Sequence, residues 1–336
     1  MDSDPRHRQY LVIQTASIGD VILATAIPEK LHLTYPDAHI DFLLRKGCEH
    51  LFAGHPFIRE VLIWDKGHGK YKDLKRLKRM IRARRYDAII NLQRFASSGW
   101  LTAFSKAKYK AGFRKNPWSL FFNHKADHSI SRHGRLHETQ RNQALLAGLA
   151  PGDPGPVRLY PRPEDFKAVE SLMKEDYITI APYSLWYTKQ YPVEKWRQFL
   201  RELSGSSKVY LLGSSAERAK AEADFGGMPM VVNLAGKLSL LQTAALMKGA
   251  RMNFTNDSAP LHLASAVNAP VTAIFCSTVP AFGFGPLSDN SLVLETDGKL
   301  PCRPCGLHGK KSCPEKHMKC GLDIPPEKLI KRVEDV

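Results

Sequence analysis

Short apolar runs alternate with segments whose apolar residues recur every three or four positions. In the first half of the chain, the runs predict strands at residues 10–14, 39–44, 60–64 and 87–92. The intervening periodicity predicts helices at about residues 20–34, 46–54 and 72–85. Strands that alternate with helices are typical of a parallel sheet covered by helices.

The proline-rich segment 150–165 interrupts this pattern, and we predict a linker there without regular structure. Beyond it, strands are predicted at 177–182, 208–213, 231–236, 251–257 and 270–276. Helices are predicted at about 193–203, 215–225, 239–249 and 258–267. The chain is therefore expected to form two α/β domains, which bind ligands beyond the carboxyl ends of their strands.

Charge adds one feature to this picture. The formal net charge is +16, and residues 66–85 hold ten Lys or Arg with one Asp. Leu74, Leu77 and Ile81 are spaced as one face of a helix. Its basic face is either simply solvated or docks on anionic lipid headgroups or an anionic acceptor. No zinc-finger, RRM-like or helix-turn-helix signature accompanies the charge, so nucleic acid is not an expected partner.

The composition, 43% hydrophobic and 24% charged, is that of a globular protein. No apolar run approaches the roughly 20 residues that span a membrane. The segment MDSDPRHRQ has no apolar signal-peptide region, and we expect a cytoplasmic protein. Its six cysteines are then expected to be reduced or metal-bound rather than paired in disulfides.

The stretch QTASIGD, residues 14–20, follows the first predicted strand as a glycine turn before a helix. Its carboxylate, Asp20, either stabilises the helix N-terminus or acts as a general base. The chain has neither a GxGxxG nor a Walker lysine motif, so phosphate is not expected at this turn.

Three segments of the second half carry candidate chemistry. FTNDSAPLHLASA, residues 254–266, predicts a helix start that is either an anion site or a plain cap with a core histidine, His262. Glu217, early in its helix, contacts either a ribose or the helix dipole. Lys189, in a loop after a strand, is either solvated or bound to phosphate.

Together these segments resemble glycosyltransferase family 9, the heptosyltransferases of the lipopolysaccharide inner core. The most specific motifs are TASIGDV near the start and DSAPLHLA at residues 257–264; KQYP, LLGSSAER and LAGKLSL support them. The resemblance implies the GT-B fold, two Rossmann-like domains facing across a cleft. It also implies metal-independent, inverting transfer from a nucleotide-sugar, typically ADP-heptose, to an anionic glycolipid acceptor.

By this resemblance, residues 1–155 bind the acceptor, residues 156–325 bind the donor, and residues 326–336 form a final helix. Asp20 corresponds to the catalytic base, and Lys189 to a lysine that offsets charge on the leaving diphosphate. The remaining donor contacts correspond to Ser184, Glu217, Leu238, Asp257, Ser258, Ala259 and His262. Many relatives have glycine at the position of Ala259, which allows the backbone more freedom there.

Acceptor contacts are expected from Gly19, Arg94, Arg114 and Lys115. The three basic side chains follow predicted strands and suit phosphates or Kdo carboxylates. His137, Glu138 and Arg141, at the start of a helix, either join them or only pack.

The tail, residues 300–322, contains Cys302, Cys305, Cys313 and Cys320. One CxxC with two further thiols suits a structural zinc or iron ion, although the spacing is irregular for a zinc ribbon. Free thiols or disulfides are the alternatives, and Cys48 and Cys276 are expected to be ordinary buried cysteines.

Two other functions stay open on the sequence alone. The enzyme could use a different nucleotide-sugar or acceptor, because no residue pattern distinguishes the sugar. Alternatively, the chain could be a non-catalytic anion-binding protein that uses the basic segment 66–85 on a membrane or on nucleic acid. In the enzyme, the same segment could hold the protein at the inner face of the inner membrane.

Overall fold

The computed structural model describes residues 8–67, 69–203 and 208–335. The chain divides into two compact units. Unit 1 runs through Ser129 and includes His137–Tyr160, and unit 2 comprises Ile130–Leu136 and the chain from Pro161 onward. Each unit contains a six-stranded sheet.

The unit 1 sheet consists of β1 (Gln9–Ile13), β2 (His39–Arg45), β3 (Ile58–Trp64), β4 (Ala88–Asn91), β5 (Tyr109–Phe113) and β6 (His124–Ala126). Neighbouring strands are parallel, in the order β3-β2-β1-β4-β5-β6. Its helices are α1 (Ile18–Leu23), α2 (Ala26–Thr34), α3 (Lys70–Arg84), α4 (Ala96–Ala103) and α5 (Glu138–Gln143).

Helices cover the unit 1 sheet, so its central strands are apolar on both faces. In β1, Leu11, Val12 and Ile13 are fully buried. Helix α3 buries Leu74, Leu77 and Ile81 in the same core cluster, as their spacing predicts.

The unit 2 sheet consists of β7 (Tyr177–Ala181), β8 (Lys208–Leu211), β9 (Val231–Asn233), β10 (Met252–Asn256), β11 (Val271–Ile274) and β12 (Ser291–Leu294). Neighbouring strands are again parallel, in the order β12-β11-β10-β7-β8-β9. Its helices are α6 (Pro163–Val169), α7 (Val193–Glu202), α8 (Arg218–Phe225), α9 (Leu240–Gly249), α10 (Ala259–Ala266), α11 (Lys319–Leu322) and α12 (Glu327–Glu334).

Large aromatic side chains fill the unit 2 core. Helix α7 buries Trp196, Phe199 and Leu200, which share one helical face. Phe254 of β10 contacts both rings, with centroid separations of 6.5 Å to Trp196 and 5.1 Å to Phe199. Leu329 and Val333 of α12 join this core, so the last helix is part of unit 2.

Several predicted elements differ from the structure. The predicted helix 20–34 is two helices, α1 and α2, separated at Ala24 and Thr25. The predicted helix 46–54 contains only a 3-10 turn, Glu49–Phe52. The strands β6 and β12 were not predicted, because each is too short to give a periodic signal.

The prediction that residues 150–165 contain no regular element is wrong at its end. Helix α6 begins at Pro163, where proline suits the first helical turn because no N–H partner is needed there. Asp165 accepts a bond from the Arg162 N–H at 2.9 Å, which closes the helix start. Proline content alone therefore indicated the break in the chain but concealed the helix that follows it.

The units also divide later than the predicted boundary at 155/156. Residues just after it still bind unit 1: the Arg158 N–H donates to Thr25 Oγ1 at 3.0 Å, and the Tyr160 hydroxyl donates to Glu29 Oε1 at 2.6 Å. The division therefore falls between Tyr160 and Pro161. Across the described ranges, no helix is long and apolar enough to cross a membrane.

Candidate active site

The QTASIGD turn places a carboxylate at the start of α1. The side chain of Asp20 accepts two bonds at Oδ2, from the Ser17 N–H at 3.2 Å and the Ser17 hydroxyl at 2.5 Å. This is a capping box, in which an acid in the third helical position turns back to the N-cap residue. Gly19 beside it is buried and Asp20 is half-buried. The carboxylate is thus held in one orientation with its second oxygen, Oδ1, left out of these bonds.

The acceptor candidates leave the same edge of the unit 1 sheet as Asp20. Strands β1, β4 and β5 are adjacent and parallel, so the loops carrying Asp20, Arg94 and Arg114 all follow carboxyl ends at one edge. The buried amides of Gln14 and Gln93 are hydrogen-bonded to each other and join the first two loops.

Asn116 joins the second loop to the third. Its Nδ2 donates to the carbonyls of Gln93 at 3.0 Å and Phe95 at 3.1 Å. Arg94, Arg114 and Lys115 are themselves exposed. The structure therefore fixes the backbone of these loops and leaves the basic side chains at the surface, where Arg114 Nε lies 3.4 Å from Asp127 Oδ1.

The helix start His137–Arg141 turns out to be a buried packing element. Glu138 Oε2 accepts from Arg141 Nε at 2.8 Å, and Glu138 Oε1 lies 3.0 Å from Nε2 of the buried His128. Burial alone raises the pKa of Glu138, but His128 and Arg141 outweigh it and hold that pKa below its usual value. Of the two interpretations, packing describes Glu138 and Arg141.

In unit 2, Lys189 and Asp257 form an ion pair. Lys189 Nζ lies 2.7 Å from Asp257 Oδ2, with side chains 14% and 8% exposed. The same oxygen accepts from the Thr278 hydroxyl at 2.6 Å. The Tyr191 N–H donates to Asn256 Oδ1 at 2.8 Å, which fastens the lysine loop to the end of β10. The sequence did not indicate this pairing, because the partners lie on different loops.

Asp257 leads directly into helix α10. Ser258 is its N-cap residue, Ala259 is its first residue and Pro260 occupies the first turn. His262 is buried one turn further on. Pro260 has no N–H and the Leu261 N–H donates to the Ser258 carbonyl at 3.1 Å, so the Ala259 N–H and the helix dipole are what favour an anion next to the Lys189 ammonium group.

Glu217 repeats in unit 2 the capping box of Asp20. Its Oε2 accepts from the Ser214 N–H at 2.7 Å and the Ser214 hydroxyl at 2.9 Å. Gly236, after β9, has φ +65° and lies against the Ser215 backbone, where an added Cβ would be 2.4 Å from Ser215 Cα. The half-buried Leu238 follows two residues later. The close contact at Gly236 thus brings the loops of Glu217 and Leu238 together.

The donor candidates share one edge of the unit 2 sheet. Ser184 and Lys189 follow β7, Glu217 follows β8, and Leu238 follows β9; Asp257 follows β10. These four strands are contiguous and parallel, so their carboxyl ends form one row. The Ser184 carbonyl accepts a hydrogen bond from Gln190 Nε2 at 2.7 Å, which closes the loop between Ser184 and Lys189.

Four tail cysteines line a cavity of about 260 Å³, together with His317 and Thr188; they are Cys302, Cys305, Cys313 and Cys320. All six cysteines are free, and Cys48 and Cys276 are buried as expected. Burial, followed by the neighbouring thiols, raises the pKa of Cys320 to about 11. Within the described residues, no three His, Cys, Asp or Glu side chains are close enough together to hold a metal ion.

The tail also packs against the loop of Lys189. The Thr188 N–H donates to the Lys310 carbonyl at 3.1 Å, and the Lys310 N–H donates to Thr188 Oγ1 at 2.8 Å. Gly309, with φ +77°, lies where an added Cβ would be 3.0 Å from Lys189 Cγ. The tail thus supports the lysine loop, a role that the cysteine spacing did not reveal.

Comparisons with known proteins agree with this architecture. The family described as "Glycosyltransferase family 9 (heptosyltransferase)" matches residues 74–318. Lipooligosaccharide heptosyltransferase 2 of Haemophilus influenzae is 24% identical, with 97% of this chain and 98% of that protein covered. Lipopolysaccharide heptosyltransferase 1 of Pseudomonas aeruginosa is 26% identical, with 91% and 87% covered.

The structure of Escherichia coli ADP-heptose lps heptosyltransferase II superimposes with a TM-score of 0.79 at 20% identity, covering 97% of this chain and 98% of that one. The two Rossmann-like sheets and this similarity give the chain the GT-B fold. Because the family match covers most of the chain, this protein belongs to glycosyltransferase family 9, the heptosyltransferase family, and is a glycosyltransferase.

Proposed function

We propose that the enzyme transfers a heptose from ADP-heptose to an acceptor of the lipopolysaccharide inner core, with inversion at the anomeric carbon. The observation that carries the proposal is the division of the candidate groups between the two units. One sheet edge of unit 1 carries a carboxylate among basic loops, and one sheet edge of unit 2 carries a lysine beside a helix N-terminus. The relatives named as lipopolysaccharide or lipooligosaccharide heptosyltransferases support the sugar and the acceptor class.

In this proposal, Asp20 is the general base. Its carboxylate takes the proton of an acceptor hydroxyl while that oxygen forms a bond to the anomeric carbon of the sugar. The bond from that carbon to the diphosphate oxygen breaks, and its electron pair leaves with ADP. Attack on the face opposite the diphosphate inverts the centre. The bonds from Ser17 to Oδ2 support this role because they orient the carboxylate and leave Oδ1 for the hydroxyl.

The donor diphosphate is assigned to Lys189, to the start of α10 at Ser258 and Ala259, and to His262 one turn further on. Lys189 stabilises the charge that develops on the leaving group, since a fixed cation stabilises a transition state where charge develops. Asp257 holds the lysine in the free protein, at 2.7 Å. Glu217 is assigned to the ribose and Leu238 to the adenine, with Ser184 at the diphosphate.

The acceptor is an anionic glycolipid, held by Gly19 at the turn and by Arg94, Arg114 and Lys115. Exposed guanidinium groups suit phosphate and carboxylate groups. We place the enzyme in the cytoplasm, in peripheral contact with the inner face of the inner membrane through α3, with no nucleic-acid partner. Exposed residues of α3 that support such a contact include Lys75, Arg79 and Arg82.

Mass spectrometry of the product from ADP-heptose and Kdo-lipid A tests the activity. The variant Asp20→Asn should lose transfer by a factor of about 10²–10⁴, the usual contribution of a general base, while ADP affinity is unchanged. Asp37→Asn, at an exposed turn aspartate, is the matched control. Near-normal turnover of Asp20→Asn would exclude the base assignment. Thermal shifts with ADP, UDP and GDP test the nucleotide, and stabilisation by UDP or GDP alone would exclude an ADP-sugar.

We also propose a structural zinc or iron ion at the cysteine tail, with no part in the reaction. The four thiols and one imidazole around a single cavity support it, because thiolate ligands favour these metals. Their side chains must close in to form a ligand set, since no such set is present among the described residues. Elemental analysis of the purified enzyme, with Cys302→Ser/Cys305→Ser as the matched variant, is the test. Metal-free wild-type protein would contradict the proposal.

A further inference from the structure

Unit 1 exposes large apolar side chains around a short 3-10 turn, Ser119–Phe121. Leu120 is 87% exposed and Phe121 is 54% exposed. Phe95, at the start of α4, is 66% exposed. Scattered apolar residues are normal on a surface, but a contiguous apolar patch marks an interaction site.

The Phe121 ring belongs to a cluster of aromatic rings. The ring of Phe104 lies 5.8 Å from that of Phe121 and 5.2 Å from that of Trp118. Trp100, one turn earlier on α4, lies 6.0 Å from Phe104. The Asn116 side chain bonds to the Phe95 carbonyl at 3.1 Å and holds that residue to the same loop. Leu120 thus precedes a clustered ring in the chain, and the backbone of Phe95 is held to the loop that carries Trp118.

A stripe of basic residues on α3 borders this cluster. Lys78 Nζ lies 4.4 Å from the ring centre of Trp100 and 5.2 Å from that of Phe104. Arg82 donates to the Phe104 carbonyl at 2.7 Å. Lys75, Lys78 and Arg82 recur at the spacing of one helical face, which also carries Tyr71, 74% exposed. Cationic groups and apolar rings thus meet along the α3–α4 contact.

We propose that this surface docks on an anionic phospholipid bilayer. We call it the aromatic–basic surface and define it by Tyr71, Lys75, Lys78, Arg79, Arg82, Phe95, Leu120 and Phe121. Leu120, Phe121 and Phe95 insert among the lipid headgroups, while the α3 cations contact lipid phosphates. Charge complementarity selects this occupant, because a chain of net charge +16 concentrates ten basic residues at 66–85. Apolar insertion combined with basic residues is how peripheral proteins bind membranes.

The aromatic–basic surface lies beside the residues assigned to the acceptor. Its link to the acceptor rests on the proposed function. Asn116, in the loop of Arg114, donates to the carbonyls of Gln93 and Phe95, in the loop of Arg94; both arginines are assigned to the acceptor. A bilayer bound at the aromatic–basic surface therefore lies next to the loops that would hold a lipid-linked acceptor. Docking places the enzyme where its acceptor is anchored.

Sedimentation of the full chain with vesicles of phosphatidylcholine, alone or mixed with phosphatidylglycerol, tests the docking. Leu120→Ser/Phe121→Ser should lower partitioning onto the anionic vesicles at least tenfold, roughly the loss expected when two apolar side chains no longer insert. Lys75→Gln/Arg79→Gln should lower partitioning onto the anionic vesicles about tenfold and weaken the preference for anionic lipid, of which Lys78 and Arg82 retain a part. Both sites are exposed, so the variants should fold normally.

Control variants carry changes of the same kind elsewhere on the surface. Leu33→Ser removes another exposed leucine, and Lys167→Gln/Lys174→Gln removes two exposed charges from unit 2. Wild-type partitioning by Leu120→Ser/Phe121→Ser, or equal losses in the controls, would overturn the proposal. Unchanged vesicle binding with lost self-association in sedimentation velocity would assign the surface to a second copy and overturn it as well.

ADP binding by the same variants separates this inference from the proposed function. The surface variants should bind ADP as the wild type does. If the wild type binds vesicles through this surface but binds no nucleotide, the donor assignment fails and the docking stands. If it binds ADP but not anionic vesicles, the docking fails and the donor assignment stands.

Discussion

Replacing Lys189 by methionine tests the donor assignment most directly. The change keeps the length of the side chain and removes the ammonium group that lies 2.7 Å from Asp257. Asp257 keeps its bond from the Thr278 hydroxyl at 2.6 Å but loses its cation. Both partners are largely buried, with 14% and 8% exposure, so an uncompensated carboxylate should cost about 3 kcal/mol of folding stability.

The same change should weaken ADP binding for a separate reason. A hydrogen bond to a charged group contributes about 1.5–3 kcal/mol, which corresponds to a loss of affinity of roughly 10- to 150-fold. The leaving group also loses charge stabilisation, which should lower kcat by a further factor of roughly 10²–10³. Removing other fixed donors to a transition state has an effect of this size. Isothermal titration measures the loss of ADP affinity, and thermal unfolding measures the loss of folding stability.

A double variant, Lys189→Met/Asp257→Asn, separates stability from binding. It removes both charges, so most of the lost stability should return, while ADP affinity should stay as weak as in Lys189→Met. Lys174→Met, at an exposed lysine of the same unit, is the control for the loss of charge. Wild-type ADP affinity in the folded Lys189→Met enzyme would refute the reasoning, because the lysine would then not contact the diphosphate.

Three further predictions concern stability and accessibility. Asp41, buried in β2, accepts bonds from Arg59, Arg84 and the Tyr86 hydroxyl. Burial alone raises the pKa of Asp41, but these donors outweigh it and hold that pKa below its usual value. Asp41→Asn should therefore lower the free energy of unfolding by about 3 kcal/mol at neutral pH. As the pH falls below about 4, the wild type loses the same stabilisation, so the difference in unfolding free energy between the two proteins, measured by urea titration, should shrink. Gly236→Ala should lower the melting temperature, because residue 236 has φ +65° and the added Cβ would lie 2.4 Å from Ser215 Cα. Gly285→Ala, with open space around its Cβ, should leave the melting temperature unchanged. Equal melting temperatures for the two variants would contradict the close packing at Gly236. In metal-free protein, maleimide should label the half-exposed cysteines of the tail but should label the buried Cys48 and Cys276 only after unfolding. Peptide mass spectrometry identifies the labelled cysteines. Labelling of Cys48 or Cys276 in the folded protein would contradict their burial.

Much of the fold follows from local pattern. The buried strands β1, β4 and β7 were predicted because a parallel strand covered on both faces is a largely continuous apolar run. In β10, which was also predicted, only Met252 and Phe254 are apolar. Helix α3 was predicted from Leu74, Leu77 and Ile81, whose spacing fixes one face. Where the signal was short or mixed, as at β6, β12 and the start of α6, local pattern failed. Strands of three or four residues are too short to show a clear period, and a proline can begin a helix as well as prevent one.

For the candidate site, the sequence by itself determined which groups follow which strands. Asp20, Lys189 and Glu217 each lie in the segment that follows a predicted strand, Asp257 ends one, and parallel topology then brings such positions to one edge of each sheet. Only the tertiary structure decided their partners. The Lys189–Asp257 pair, the support of Lys189 by the tail at Thr188, and the ring contacts of the aromatic–basic surface join residues far apart in the chain. Such contacts depend on how loops fold back over the sheet, and no local period of the sequence encodes that.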